Sequence, residues 1–174
     1  IAVCAVRTGS GKSQTSRKIV QMLMAKGYKV AAIRHPMPYG DLKAQKVQRF
    51  ATVKDLALHH CTIEEMEEYE PHIVRGNVIY SGVDYEAILR QAEQEADVIL
   101  WDGGNNDFPF YVPDLLVTVA DPLRAGHELS YYPGEVSLRM ADAIIINKID
   151  SAGPEDIQKL RENIETLNPK EIGR

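Results

Sequence analysis

The sequence predicts an α/β fold of three layers, with helices on both sides of a mostly parallel central sheet. Three observations carry this. Short runs of Val, Ile and Leu recur along the chain, amphipathic stretches lie between them, and VRTGSGKS joins the first run to the first such stretch. Continuous apolar runs, as opposed to alternating ones, mark strands covered on both faces. With 174 residues, 44% hydrophobic and 26% charged, the chain has the composition of a globular protein able to bury one core, and a single domain is expected over 1–174.

Taken in order, strands are expected at Ile1 to Val6, Lys29 to Arg34, Asn77 to Tyr80, Val98 to Asp102, Leu115 to Ala120 and Ala143 to Asn147. Between the first two, Ser13 to Lys26 places Ile19, Val20, Leu23 and Met24 on one helical face, and Gly27 stands where a helix ends. Asp84 to Glu95 forms a stripe from Ile88, Leu89 and Ala92, and Ala152 to Leu167 does so with Ile157, Leu160, Ile164 and Leu167. The segment 35–76 breaks this rhythm with Pro36, Pro38, Gly40, an acidic run from Glu64 to Glu70, and Pro71. It reads as an irregular excursion without a strand. Thr62 and Glu65 fit a capping box that opens a short helix there, the acidic run being its solvated face and not a metal site. His59, His60 and His72 are expected to face solvent.

A formal net charge of −5 argues against nucleic acid as a partner, and no apolar run approaches the roughly 20 residues that span a bilayer. Two cysteines, Cys4 and Cys61, suit a reducing compartment, and the cytoplasm is expected. The chain opens at Ile1 without a methionine and stops before the strand expected after Leu167, so it reads as a piece of a longer protein.

Three motifs carry chemistry. In Val6 to Ser13, Gly9 and Gly11 let backbone N–H groups converge on a phosphate at a helix N-terminus, Lys12 adds a mobile charge, and the Ser13 hydroxyl suits Mg²⁺. Thr8, Ser10 and Gln14 complete the cradle, and Val6 replaces the first glycine of G-x-x-x-x-G-K-[ST], which an extended backbone tolerates. The run Val98 to Trp101 ends in Asp102, a second Mg²⁺ ligand, and Gly103, Gly104, Asn105, Asn106 and Asp107 follow as a loop able to sense the terminal phosphate. Last, Asn147-Lys148-Ile149-Asp150 follows a buried strand, and its aspartate can accept from the N1 and N2 donors of guanine.

RTGSGKS, Arg7 to Ser13, resembles the K-G-G-x-G-K-[ST] loop of the dimerising class of P-loop NTPases, with Arg7 where that class carries an extra lysine. VRTGSGKSQTSR, RHPMPYGDL, WDGGNNDFPF, GHELSYYPGE and ADAIIINKID together resemble cyclic 2,3-diphosphoglycerate synthetase and its relatives labelled predicted GTPases. The first resemblance implies a P-loop NTPase fold and a homodimer in which Arg7 reaches the partner's phosphates. The second implies phosphoryl transfer from ATP to a small phosphorylated acid. YPGEVSLRMADAIIINKID is also similar in layout to nickel-chaperone GTPases, whose Cys and His clusters have no counterpart beside this loop.

The reading is a Mg²⁺-dependent P-loop nucleoside triphosphatase using ATP or GTP, with Lys12, Asp102 and Arg7 as catalytic residues. A regulatory or metallochaperone-type GTPase is the alternative. Arg34, His35, Asp41, Arg124, His127, Tyr131, Tyr132 and Glu135 all follow strand ends and are candidates for an acceptor pocket.

Overall fold

A computed structural model describes residues 1–37, 39–103 and 108–169. In chain order the elements are β1 (Ala2–Ala5), α1 (Lys12–Ala25), β2 (Val30–Arg34), β3 (Gln48–Phe50), α2 (Val53–Leu58), α3 (Ile63–Ile73), β4 (Val78–Ser81), α4 (Tyr85–Ala92), β5 (Val98–Trp101), β6 (Leu116–Ala120), α5 (Gly134–Met140), β7 (Ala143–Ile146) and α6 (Pro154–Leu167). The fold is the expected α/β class, and every predicted strand and helix is present within two residues of its expected bounds, except that α4 ends three residues before Glu95. Among the described residues no helix is long and apolar enough to cross a membrane.

The chain divides into two compact units, Ile1–Thr15 with Gly103–Arg174, and Ser16–Asp102, the boundary falling inside α1. In the first unit β1 pairs parallel with β6 and β6 parallel with β7. Val6 N–H extends the first ladder to Val119 O at 3.0 Å, so Val6 is still strand-like and its branched side chain is at home there. Val6, Ala120, Leu138, Leu160 and Ile164 form the buried cluster, with α6 contributing the stripe its sequence predicts.

In the second unit β2 lies between β4 and β5, parallel to both, and β3 pairs antiparallel with β4. The expectation of a strandless excursion is therefore corrected: 35–76 contains β3, α2 and α3. Three residues, one of them Arg49, give almost no periodic signal, and a short charged strand suits a sheet margin. Arg49 is tied down by a two-pronged pair with Glu95, Nε to Oε1 at 2.8 Å and Nη2 to Oε2 at 2.6 Å, and Tyr80 also donates to Glu95. The hydrogen bond from Arg49 holds the Glu95 carboxyl below its usual value, while burial pushes the Tyr80 hydroxyl up to about 12. The capping box of α3 forms as expected. Its acidic run is only partly solvated: Glu65 is buried and Glu68 pairs with Arg34 at 2.9 Å. His72, expected at the surface, is buried. It belongs to the inward stripe Glu65, Tyr69, His72 and Ile73, whose helical spacing was readable in the sequence.

Candidate functional site

The loop between β1 and α1 turns on Gly9 (φ 83°) and Gly11 (φ 105°), a backbone region that residues with a Cβ seldom adopt. A Cβ on Gly11 would overlap the Asn147 side-chain amide, so that glycine also permits close approach. Thr15 N–H bonds Gly11 O at 3.0 Å and starts the helix. Gly9, Gly11, Lys12, Ser13, Gln14, Asn147 and Lys148 line a cavity of about 400 Å³. Lys12 and Ser10 are buried, and among the described residues Ser10 Oγ has no hydrogen-bond partner.

Side chains from the ends of β6 and β7 hold this loop by its carbonyls. Asn147 Nδ2 donates to Ser10 O at 3.0 Å, Lys148 Nζ to Gly9 O at 2.5 Å, and Arg124 Nη1 to Thr8 O at 3.3 Å. Both cations also converge on Asp121, whose Oδ2 accepts from Lys148 Nζ at 2.8 Å and Arg124 Nη2 at 2.6 Å. Burial would raise the Asp121 carboxyl, but the bonds from Lys148 and Arg124 outweigh it and hold the group below its usual value. Lys148 adopts φ 59°, which costs a residue with a Cβ about 1 kcal/mol, and its two hydrogen bonds offset that strain. Asp150 is exposed.

The Arg7 guanidinium donates from Nη1 to His127 Nδ1 at 2.5 Å, and its Cζ lies 4.5 Å from the Tyr131 ring centre. Arginine has only donors, so Nδ1 accepts and the His127 ring proton is assigned to Nε2. Tyr132 is exposed and meets Phe108 edge to face, and Glu135 pairs with Arg139. Of the residues expected near an acceptor, Arg124, His127 and Tyr131 thus meet the phosphate loop or Arg7. Tyr132 and Glu135 have these other neighbours.

In the second unit, Asp102 is buried and its Oδ1 accepts from Ser16 Oγ at 2.7 Å. Its Oδ2 lies 3.3 Å from His72 Nε2 and 3.9 Å from Arg34 Nη1. Asn77 Nδ2 meets His72 Nδ1 at 3.2 Å, which leaves the ring proton on Nε2, facing the carboxylate. His35 is half-buried, and Asp41 is exposed with Oδ1 capping Lys43 N–H at 2.9 Å. Gly104, Asn105, Asn106 and Asp107, expected to sense a terminal phosphate, and Pro38 lie outside the described residues.

A family model described as ATPase MipZ matches residues 1–123, well over half of the chain. The chain belongs to the MipZ ATPase family. Its α/β fold is that of a P-loop NTPase. The chain is 70% identical over 169 residues to the arginine synthetase ArcE of Thermococcus kodakarensis, an overlap of 97% of this chain and 38% of that relative. It is also similar to the cyclic 2,3-diphosphoglycerate synthetases of Pyrococcus furiosus (23% identical over 74 residues, 42% of this chain and 17% of the relative) and of Thermococcus sibiricus (29% over 82 residues, 47% and 19%). The resemblance to those synthetases is borne out. The chain spans 38% of the arginine synthetase's length and less of the other two.

Asp121 was missed in the sequence. It stands in the dipeptide Asp121-Pro122 at the end of an apolar strand, in the same setting that singled out Asp102, and that parallel was the available signal.

Proposed function

We propose that this MipZ-family chain binds the triphosphate of ATP at the Val6 to Ser13 loop and serves a synthetase that activates a small acceptor by phosphoryl transfer. The clamp of Asn147, Lys148 and Arg124 on the carbonyls of Ser10, Gly9 and Thr8 carries this reading. A loop whose carbonyl oxygens are tied back leaves its N–H groups for an anion, and the start of α1 adds its dipole.

Thr8, Gly9, Ser10, Gly11, Ser13 and Gln14 then surround the phosphates, and Lys12 compensates charge that develops on the β- and γ-oxygens. The Ser13 hydroxyl, a hard oxygen on the cavity wall, fits Mg²⁺ as a ligand, and the Asp102 carboxylate has by itself the chemistry of one. When bound, the ion neutralises phosphate charge. A synthetase that joins a nitrogen to a carbon bearing oxygen must first make that oxygen a leaving group, and phosphorylation does so. The high identity to an arginine synthetase along nearly the whole chain supports an acceptor of that kind. The lower, partial identity to cyclic 2,3-diphosphoglycerate synthetases supports a phosphorylated acid as the second reading.

Titration calorimetry with Mg-ATP and Mg-GTP tests the site. Saturable binding of Mg-ATP is expected, and the absence of heat from both nucleotides would sink the proposal. Exposed Asp150 is the residue able to favour guanine, so any GTP binding should fall at least tenfold in Asp150→Ala while ATP binding persists. Arg7 is proposed to serve turnover, whether toward its own phosphates or a partner's. Arg7→Ala should lower kcat by more than it raises the ATP Kd, and equal effects on both would make Arg7 a simple binding cation.

A further inference from the structure

We propose that His127 and Tyr131 are positioning residues that hold the Arg7 guanidinium for a phosphate oxygen without neutralising it, an inference that rests on the reading that Arg7 serves turnover of ATP. His127 Nδ1 accepts from Arg7 Nη1 at 2.5 Å, and Arg7 Cζ stands 4.5 Å over the Tyr131 ring. The two rings support each other, their centres 4.9 Å apart and their planes inclined by 31°. Among the described residues no carboxylate pairs with Arg7, and its buried Nε has no hydrogen-bond partner. A carboxylate would fix the guanidinium and also cancel its charge. A neutral imidazole nitrogen and a π face fix it and leave the charge for an anion.

The support is anchored in turn. His127 opens a short 3-10 turn, His127–Leu129, that follows Gly126 in the left-handed region at φ 105°. Gly126 N–H meets both carboxylate oxygens of Glu128 at 2.9 Å, and Asn163 Nδ2 of α6 donates to Glu128 Oε1 at 2.5 Å. Glu128 is fully buried, so its carboxylate locks the turn from beneath. The N–H groups of Ser130 and Tyr131 both bond His127 O at 3.1 Å, which ties Tyr131 to the same turn. An arginine ordered before the anion arrives loses less side-chain freedom on meeting it. Every group in this arrangement lies within the first unit.

His127→Leu should lower kcat for Mg-ATP about tenfold, the scale of a hydrogen bond to a charged group, and leave the ATP Kd within about twofold. His127→Asn puts an amide oxygen in the place of Nδ1 and should turn over about fivefold faster than His127→Leu. Tyr131→Leu should cost about threefold in kcat. In an Arg7→Ala background, His127→Leu should add no further loss, because it acts only through Arg7. A mere folding defect would persist in that background and lower the thermal midpoint, and a His127 that touched substrate would give additive losses without rescue by asparagine. In the nucleotide-free protein, nitrogen NMR should find the neutral His127 ring protonated at Nε2, with an Nδ1 signal that moves in Arg7→Ala. Wild-type kcat in His127→Leu, additive losses, failure of His127→Asn to rescue, or an unmoved Nδ1 signal overturns the proposal. So does a wild-type chain that binds Mg-ATP without turning it over. Because the spectrum is recorded without nucleotide, a chain that binds no ATP sinks the functional reading, while the Nδ1 signal still decides whether His127 holds Arg7.

Discussion

Asp121→Ala is expected to lower stability by about 3 kcal/mol, the figure for removing one partner of a buried ion pair at the low end of its range. The carboxylate is 1% exposed, while Lys148 and Arg124 each keep 29% of their side chains in contact with solvent. Those two cations can therefore rehydrate in part, and this moderates the loss. The same change releases the two groups that hold the Gly9 and Thr8 carbonyls, so ATP affinity should fall with stability. Urea unfolding and nucleotide titration of the one variant check both effects, and a stability change under about 0.5 kcal/mol would refute the clamp.

The pH dependence gives a sharper test of the same group. Its carboxyl is held below the unfolded value of about 3.9, so the folded state favours the ionised form. Stability from this group is fully present above that unfolded value and is lost as pH falls through the lower, folded one. The gap between the wild-type chain and Asp121→Asn should accordingly be constant from pH 7 to about 5 and shrink below about pH 4. A gap that stays level down to pH 3 would mean that the charge of Asp121 contributes nothing.

Much of the fold was legible because buried parallel strands write themselves as apolar runs, and Leu160 and Ile164 repeat at helical spacing on the face that α6 buries. β3 was not, since Gln48, Arg49 and Phe50 pair with Ser81, Tyr80 and Ile79 of β4 and Arg49 is tied to Glu95, all far along the chain. Within the candidate site, the glycines and Lys12 could be read from local pattern alone. The shared partner of Arg124 and Lys148 could not: they follow different strands, and only tertiary structure shows that both bind Asp121. The Asn147-Lys148 pair was read as part of a base-recognition motif, yet its side chains bond the carbonyls of Ser10 and Gly9 and the carboxylate of Asp121. Exposed Asp150 alone remains for a base, which is why the tetrad by itself does not decide between ATP and GTP.

Gly134→Ala is the other large effect, and its sign runs against helix propensity. Replacing a helical glycine by alanine ordinarily gains up to about 1 kcal/mol. Gly134 opens α5 with its Cα pressed against β1, and a Cβ there would overlap the carbonyl carbon and oxygen of Val6, backbone atoms that cannot rotate away. Either α5 withdraws from the cluster around Leu138, or Val6 shifts and breaks its 3.0 Å bond to Val119. Overpacking of this kind costs about 1–3 kcal/mol, and a backbone obstacle belongs at the upper end. Val6 leads directly into Arg7 and the glycine turn, so the displacement passes to the loop amides and weakens Mg-ATP binding as well. Thermal unfolding should show a lowered midpoint together with a raised ATP Kd. A stabilised variant with unchanged affinity would mean that α5 has room to move, and that the close approach does not set the position of the loop.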